Sequence, residues 1–299
     1  MGAVHTVLRE QGKNAALKAN FDRSVVEAAA KYLASKDQET AFLFSGWTQS
    51  TWPHRRLPDD AVWEVVTDWV TLIMRPAWRV RDDGTRSFIG VPYGSRARLI
   101  MLFLQSEALR TGRREIELGG SLHSWLRRLD IPVGGKAVAA VRDQSMRISR
   151  CQISFCSHVD GRGDFVDQPL LDDDLIVDDG SGRGGVLAET AILSVSFYEQ
   201  LRRHPVRIGQ AAVRQLANNS LALDVYCWLS SLLHTLGAPV TVSWRTLHSQ
   251  YGRGVAREDH FRDHFCVALQ LALSVYPEAG IEAVRGGLRL LPSRPPVHG

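Results

Sequence analysis

A phosphate-binding loop is the first chemistry that the sequence suggests. Three glycines in DDGSGRGG, residues 178–185, match G-x-G-x-x-G, a pattern whose backbone N–H groups approach a pyrophosphate at the start of a helix. A dinucleotide site also needs a long helix before the next strand. Only seven residues separate the last glycine from LSVSFYE, residues 193–199, which we predict to be a strand. The two leading aspartates would also repel a pyrophosphate. We therefore interpret the stretch as a flexible, solvated loop.

Metal and catalytic chemistry have little support. His260 and His264 are spaced i,i+4, but no acid or cysteine follows them at the spacing of a zinc site. Asp172, Asp173 and Asp174 are consecutive, so their side chains point in different directions, as in a solvated acidic run. The four cysteines have neither zinc-site spacing nor the pattern of a disulfide framework. We expect no metal, no cofactor and no enzymatic activity.

Charge is arranged in blocks. The 299 residues carry a net charge of +4 and are 44% hydrophobic, which is typical of a globular protein. Residues 92–151 have 11 basic and 5 acidic side chains, and residues 201–299 have 11 and 6. Between them, residues 160–180 have eight aspartates and one arginine. The basic blocks suggest an anionic partner. Without a signal peptide or a membrane-length apolar run, we expect a cytoplasmic protein.

The elements that would present these charges follow the same order twice. In the first block we predict a helix over 95–112, a short strand, a short helix capped by Ser121, a turn, a helix Lys136–Arg150 and a strand. In the second we predict a helix over 220–236 capped by Ser220, the strand VTVSW, the helix RTLHSQYG, a helix over 256–275 and a hairpin around RGG. This order is that of a winged helix, a helix-turn-helix variant.

The predicted fold class is α+β. It has two winged-helix (helix-turn-helix) domains joined by an acidic connector rich in Gly and Asp, with an N-terminal α/β extension. The predicted boundaries are 1–35 for the extension, 36–204 for the first domain with its N-terminal strands and connector, and 205–299 for the second. Before residue 92 we predict one helix over 21–34, a strand over 62–74, and a hairpin that turns at Asp83-Gly84.

The third helix of each domain is the candidate DNA reader. On Lys136–Arg150, the apolar side contains Val138, Val141 and Ile148. The opposite side and flanks would present basic and amide groups to phosphates and base edges, namely Lys136, Arg142, Gln144, Arg147 and Arg150.

In the second domain, Phe261, Phe265 and Ala268 indicate the core side of the third helix, and Asp259 and Asp263 on its outer side would repel phosphates. The predicted contacts therefore lie at the helix start, on its flank and on the wing, namely Arg245, Arg253, Arg257, His260, Arg262, Arg285 and Arg289. An ordinary solvated surface or a protein-docking surface are the alternatives.

Several long segments resemble the RepA-type replication initiators of broad-host-range plasmids from Gram-negative bacteria. They include GVPYGSRARLIMLFLQSEALRTG at 90–112, IELGGSLHSWLRRLDI, VGGKAVAAVRDQSMRISRC and NNSLALDVYCWLSSLLHTL. The resemblance runs from about residue 40 to the C-terminus and is weakest over 160–185.

The resemblance implies a plasmid replication initiator. Such a protein would bind repeated double-stranded sites (iterons) at the plasmid origin, promote opening of an adjacent AT-rich segment, and recruit host replication proteins such as the initiator and the helicase. It would bind as a monomer or form a homodimer. A winged-helix repressor of a plasmid or phage operon would have the same sequence features and is the main alternative.

Overall fold

The structure is a computed structural model that describes residues 3–80, 83–158, 165–177 and 186–297. The glycine-rich stretch 178–185 therefore lies outside the described residues. The helices are α1 Ala3–Glu10, α2 Gly12–Lys18, α3 Arg23–Ala34, α4 Gly46–Gln49, α5 Gly94–Thr111, α6 Leu122–Arg128, α7 Gly135–Arg150, α8 Val195–Arg203, α9 Gln210–Leu216, α10 Ser220–Leu232, α11 Trp244–Tyr251 and α12 Glu258–Leu273.

The strands are short, and those of the four-stranded and three-stranded sheets run antiparallel to their neighbours. They are β1 Thr40–Phe44, β2 Trp63–Val66, β3 Val70–Arg75, β4 Trp78–Val80, β5 Arg86–Phe88, β6 Glu115–Glu117, β7 Gln152–Ser157, β8 Phe165–Pro169, β9 Ile176–Val177, β10 Val186–Leu187, β11 Thr190–Ile192, β12 Pro205–Gly209, β13 Val240–Ser243, β14 Gly280–Val284 and β15 Gly287–Leu291. Among the described residues, no helix is long and apolar enough to cross a membrane.

The chain forms two compact units. One comprises Met1–Ala41, Trp47–Thr51 and Val206–Gly299, and is called the terminal unit below. The other comprises Phe42–Gly46 and Trp52–Pro205, and is called the central unit. The N-terminal residues, predicted as a separate extension, thus belong to the same unit as the C-terminal third of the chain.

The central unit is built on a four-stranded antiparallel sheet of order β2-β3-β7-β8. Residues of β3 alternate between buried and half-buried positions, and Leu72 and Met74 are fully buried. This alternation shows that one face of the sheet covers the core. The helix α5 packs against α7 and ends at Gly112, whose φ of +69° is the left-handed conformation that glycine adopts readily.

The acidic segment belongs to the central unit rather than being a free connector. Leu170, Leu171 and Leu175 are buried, β9 pairs with β10, and Leu171 bridges to Leu193. The prediction of a flexible, solvated connector was therefore wrong for residues 165–177, because apolar side chains between the aspartates anchor them to the core.

The terminal unit includes three N-terminal helices with a small core of their own. Val4, Ala16, Val25, Val26 and Ala29 form this core. The helix α3 also packs on α9 and α12.

The C-terminal part of this unit has the predicted order of elements. Helix α10 precedes strand β13, then come α11, α12 and the hairpin β14–β15, in a sheet of order β13-β15-β14. The hairpin turns through Arg285 and Gly286, and Gly286 has a φ of +96°. The turn thus needs the backbone freedom of glycine.

Three sequence predictions need correction. LSVSFYE contributes to a helix, α8, because Ser194 caps it and Phe197 and Leu201 supply a buried side at helical spacing. Asn219, not Ser220, caps α10 by accepting a hydrogen bond from the backbone N–H of Ala222. The predicted strand over 62–74 is two strands, β2 and β3, joined by a turn.

Gly287 tests how tightly the hairpin packs on β13. A Cβ at this position would lie 2.1 Å from the carbonyl oxygen of Val242, so the backbone would have to move. We expect Gly287→Ala to lower the free energy of unfolding by about 1–3 kcal/mol, as overpacking does. Gly237→Ala is the matched control, since its Cβ would meet nothing within 4 Å. Denaturant titration of both variants checks this, and equal stabilities would contradict it.

Candidate nucleic-acid interface

An aromatic cluster fixes α12 against the two helices before it. The ring centroid of Phe265 lies 5.5 Å from that of Tyr251, 5.4 Å from that of Phe261 and 6.2 Å from that of Trp244. Trp228 of α10 extends the cluster, with its ring 6.0 Å from Tyr251. Edge-to-face and tilted pairs at these distances are favourable in addition to the area that they bury. The cluster therefore determines which side of α12 points outward.

Two hydrogen bonds tie neighbouring segments to α11. The ring Nε2 of His248 lies 2.8 Å from the carbonyl oxygen of Val255, which ties α11 to the turn before α12. The backbone N–H of Trp244 donates to the carbonyl oxygen of Gly286 at 2.9 Å, which ties the hairpin to the start of α11. The turn and the hairpin are thus held relative to α11.

The outward face of α12 is exposed along its length. His260, Asp263, His264, Val267 and Gln270 all lie on it, at i, i+3, i+4, i+7 and i+10. The core side is as predicted, since Phe261, Phe265, Ala268, Leu269 and Ala272 are buried. Imidazole and amide groups donate and accept hydrogen bonds, and a valine methyl can contact a thymine methyl. This face can therefore offer both polar and apolar contacts to base edges.

The same C-terminal module exposes six arginines. The predicted Arg245, Arg253, Arg257, Arg262, Arg285 and Arg289 are all exposed. Arg257 pairs with Asp259, and this hydrogen bond lowers the pKa of the Asp259 carboxyl. Arg262 lies 5.0 Å above the Trp244 ring, and Arg289 lies 3.6 Å from Glu282 across the hairpin. One of the two aspartates expected to repel phosphates thus already holds an arginine.

The corresponding helix of the central unit, α7, is covered along its second half. Arg147, only 3% exposed, donates from Nε to both carboxylate oxygens of Asp143 at 3.0 Å and from Nη2 to Asp59 at 3.1 Å. Partial burial acts to raise the pKa of Asp59, but hydrogen bonds from Arg56 and Arg147 outweigh it and lower the pKa. The guanidinium is also close to Gly90, where a Cβ would lie 2.0 Å from Nη1.

Gln144 is buried beside Arg147. Its carbonyl oxygen accepts the backbone N–H of Tyr93 at 2.8 Å, and its amide donates to Asp143. The prediction that Gln144 and Arg147 lie on the accessible side of the helix was therefore wrong. The segments before α5 cover this side, which helical periodicity within 136–150 could not reveal.

The remaining predicted residues of α7 differ in accessibility. Arg150 is exposed but is paired with Asp174 at 2.6 Å, and Leu175 donates its backbone N–H to the Ser149 hydroxyl nearby. Arg142 is half-buried. Lys136 is exposed at the first turn of the helix, and the preceding residues 132–135 are exposed too. Only the N-terminal half of α7 is open to a large ligand.

The acidic run is a set of ion-pair partners. Asp172 pairs with Arg114, and Asp174 pairs with Arg150. In the described part of the chain, no three His, Cys, Asp or Glu side chains come together as a metal site would require.

The fold is similar to that of two domains of a solved protein, RctB. A crystal structure of domain 2 and domain 3 of RctB is similar, with a TM-score of 0.55 and 12% identity over 86% of this chain and 99% of that one. Another structure of RctB domains 2-3 covers 81% of this chain and 93% of its own, with a TM-score of 0.44 and 10% identity. No curated protein matches the sequence significantly.

The family is shown by the sequence itself. The family model described as "Plasmid encoded RepA protein" matches residues 91–245, more than half of the chain. The protein therefore belongs to the RepA family of plasmid replication initiators, which confirms the resemblance. The match begins immediately before α5 and includes the whole of α7 and α10.

Arg147 is expected to stabilise the central unit. Arg147→Ala removes the buried guanidinium that Asp143 and Asp59 share, and Asp59 keeps only the exposed Arg56 as its partner. We therefore expect a loss of about 3 kcal/mol in the free energy of unfolding, the lower end for a broken buried ion pair. Arg150→Ala removes a more exposed pair and should cost less than about 1 kcal/mol. Denaturant titration of both variants measures the difference, and equal losses would show that burial of Arg147 contributes nothing.

Proposed function

We propose that the protein initiates plasmid replication by binding repeated duplex sites at the origin through the face of α12 and the adjacent hairpin. The observation that supports this most is the exposed outer face of α12, in a module that also exposes six arginines. A 16-residue helix fits the major groove, and in winged-helix proteins the hairpin reaches the neighbouring backbone. The sheet order β13-β15-β14 fits such a wing.

In this proposal the arginines and the helix have separate tasks. Arg245, Arg253 and Arg285 contact phosphates and set the register of the protein on the duplex. His260 and Gln270 contact base edges and supply sequence preference. Arg257 orients Asp259, which can accept a hydrogen bond from a cytosine amino group.

The central unit supplies a second winged-helix module with a smaller contact. Its chain order α5-β6-α6-α7-β7-β8 matches that of the C-terminal module, although β6 pairs with β11 and not with β7 or β8. The second half of α7 is also covered. Lys136 therefore contacts phosphate at the start of α7, where backbone N–H groups favour an anion. Arg142, six residues further along α7, contacts phosphate at the edge of this surface.

Two modules on one chain bind repeated DNA more tightly than either alone, because docking of one raises the local concentration of DNA at the other. Binding at the origin would then promote opening of the adjacent AT-rich segment and recruit host replication proteins. The protein would bind these sites as a monomer, and two copies of the chain would form a homodimer in a second state. We propose that the protein acts at the origin by binding alone, without a catalytic step.

Two substitutions separate backbone contacts from base contacts. Arg285→Ala should weaken binding to origin and random duplexes alike, and should reduce the slope of log K against log salt by about 0.9, because one phosphate contact is lost. Gln270→Ala should weaken binding to the origin duplex alone, by about 1–3 kcal/mol. Fluorescence anisotropy with DNA from the region flanking the gene measures both.

Arg23→Ala is the control, because Arg23 is an exposed arginine of α3 paired with Glu27. It should leave both affinities unchanged. Unaltered binding by the Arg285 and Gln270 variants would show that α12 and the hairpin β14–β15 are not part of the DNA interface.

A further inference from the structure

The hairpin β4–β5 of the central unit exposes an unusual set of side chains. It forms a two-stranded sheet of its own, with Trp78 directly opposite Phe88 and Val80 opposite Arg86. These four residues share one face, because alternate residues of a strand point to the same side. Trp78 is 48% exposed, Phe88 47% and Val80 60%. Exposed aromatic groups gathered in this way commonly mark a binding surface.

Hydrogen bonds within residues 83–85 hold the chain immediately before β5. The Asp83 carboxylate accepts hydrogen bonds from the backbone N–H of Thr85 at 2.9 Å and from its hydroxyl at 2.6 Å. Gly84 has a φ of +77°, which suits glycine in a tight turn. The aromatic pair therefore lies on a defined strand pair.

The exposed face has the shape and charge for a planar anionic ligand. The guanidinium of Arg86 lies 4.2 Å from the centre of the Trp78 ring, and a cavity of about 300 Å³ is lined by Trp78, Arg86, Ser87 and Phe88. Residues 78–88 contain three arginines and two aspartates. A partner that is both planar and negatively charged satisfies the aromatic rings and the arginines together.

We propose that this hairpin binds single-stranded DNA by stacking bases on Trp78 and Phe88, with Arg86 of the same face beside the phosphates. Bases of a duplex hide their faces within the stack, whereas unpaired bases present them to aromatic rings and guanidinium planes. The site is therefore selective for unpaired strands without reading their sequence. The inference rests on the proposed function, since an initiator that opens an origin produces such a strand next to itself.

The charge favours this ligand over a protein partner. An apolar protein surface would leave the arginines of the hairpin unpaired, while a nucleic-acid backbone supplies one negative charge per nucleotide. Self-association through the open edges of β4 and β5 is the competing use of the same surface.

The test uses the full-length protein and a labelled oligothymidylate, with fluorescence anisotropy as the readout. Trp78→Ala and Phe88→Ala should each weaken binding to the oligothymidylate about 5- to 100-fold, as the loss of one stacked base does. Trp78→Phe should retain most of the affinity. All three should bind an origin duplex as the unsubstituted protein does.

Trp69→Ala is the matched control, because Trp69 is another exposed tryptophan, 53% accessible, in the turn between β2 and β3. It should bind the oligothymidylate normally. No oligothymidylate binding by the unsubstituted protein, equal weakening by Trp69→Ala, or loss of self-association in place of strand binding would each overturn the proposal. Duplex binding that persists in those cases leaves the proposed function intact.

Discussion

The guanidinium of Arg147 organises the central unit. A buried cation costs several kcal/mol unless carboxylates and further acceptors surround it. Here Asp143 comes from the same helix, Asp59 from the segment before β2, and the carbonyl of Val91 from the segment before α5. One side chain thus joins three parts of the chain that are far apart in sequence. Meeting this requirement brings those segments over the second half of α7.

The same constraint explains the difference between the two third helices. Both α7 and α12 have 16 residues and an apolar side, so helical periodicity alone makes them equally good candidates for contacting DNA. In α12, Phe261 and Phe265 pack into the core on one side of the helix, and the opposite side stays exposed. In α7, Gln144 and Arg147 make the second half a covered structural element. Membership of the RepA family is therefore compatible with unequal use of the two helices.

The N-terminal helices support the candidate DNA-binding part of the terminal unit. The ring Nε2 of His5 lies 2.8 Å from the carbonyl oxygen of Ser274, at the end of α12, and His5 is fully buried. Since a ring nitrogen beside a carbonyl must carry a proton, Nε2 is the donor. Helix α3 packs on α12 as well. Substitutions of the buried residues of α1 and α3, such as His5 and Val26, will thus be felt in α12, whereas exposed positions of these helices are free of that coupling.

The sequence by itself determined the type and order of most elements, the glycine turns at Gly112 and Gly286, and the core side of α12, because these follow from local periodicity, capping and backbone freedom. It also carried the family resemblance. Only the tertiary structure decided that Arg147 is buried and that Asp174 is an ion-pair partner. These depend on segments distant in sequence, and the same arginine is solvated or enclosed according to what packs over it.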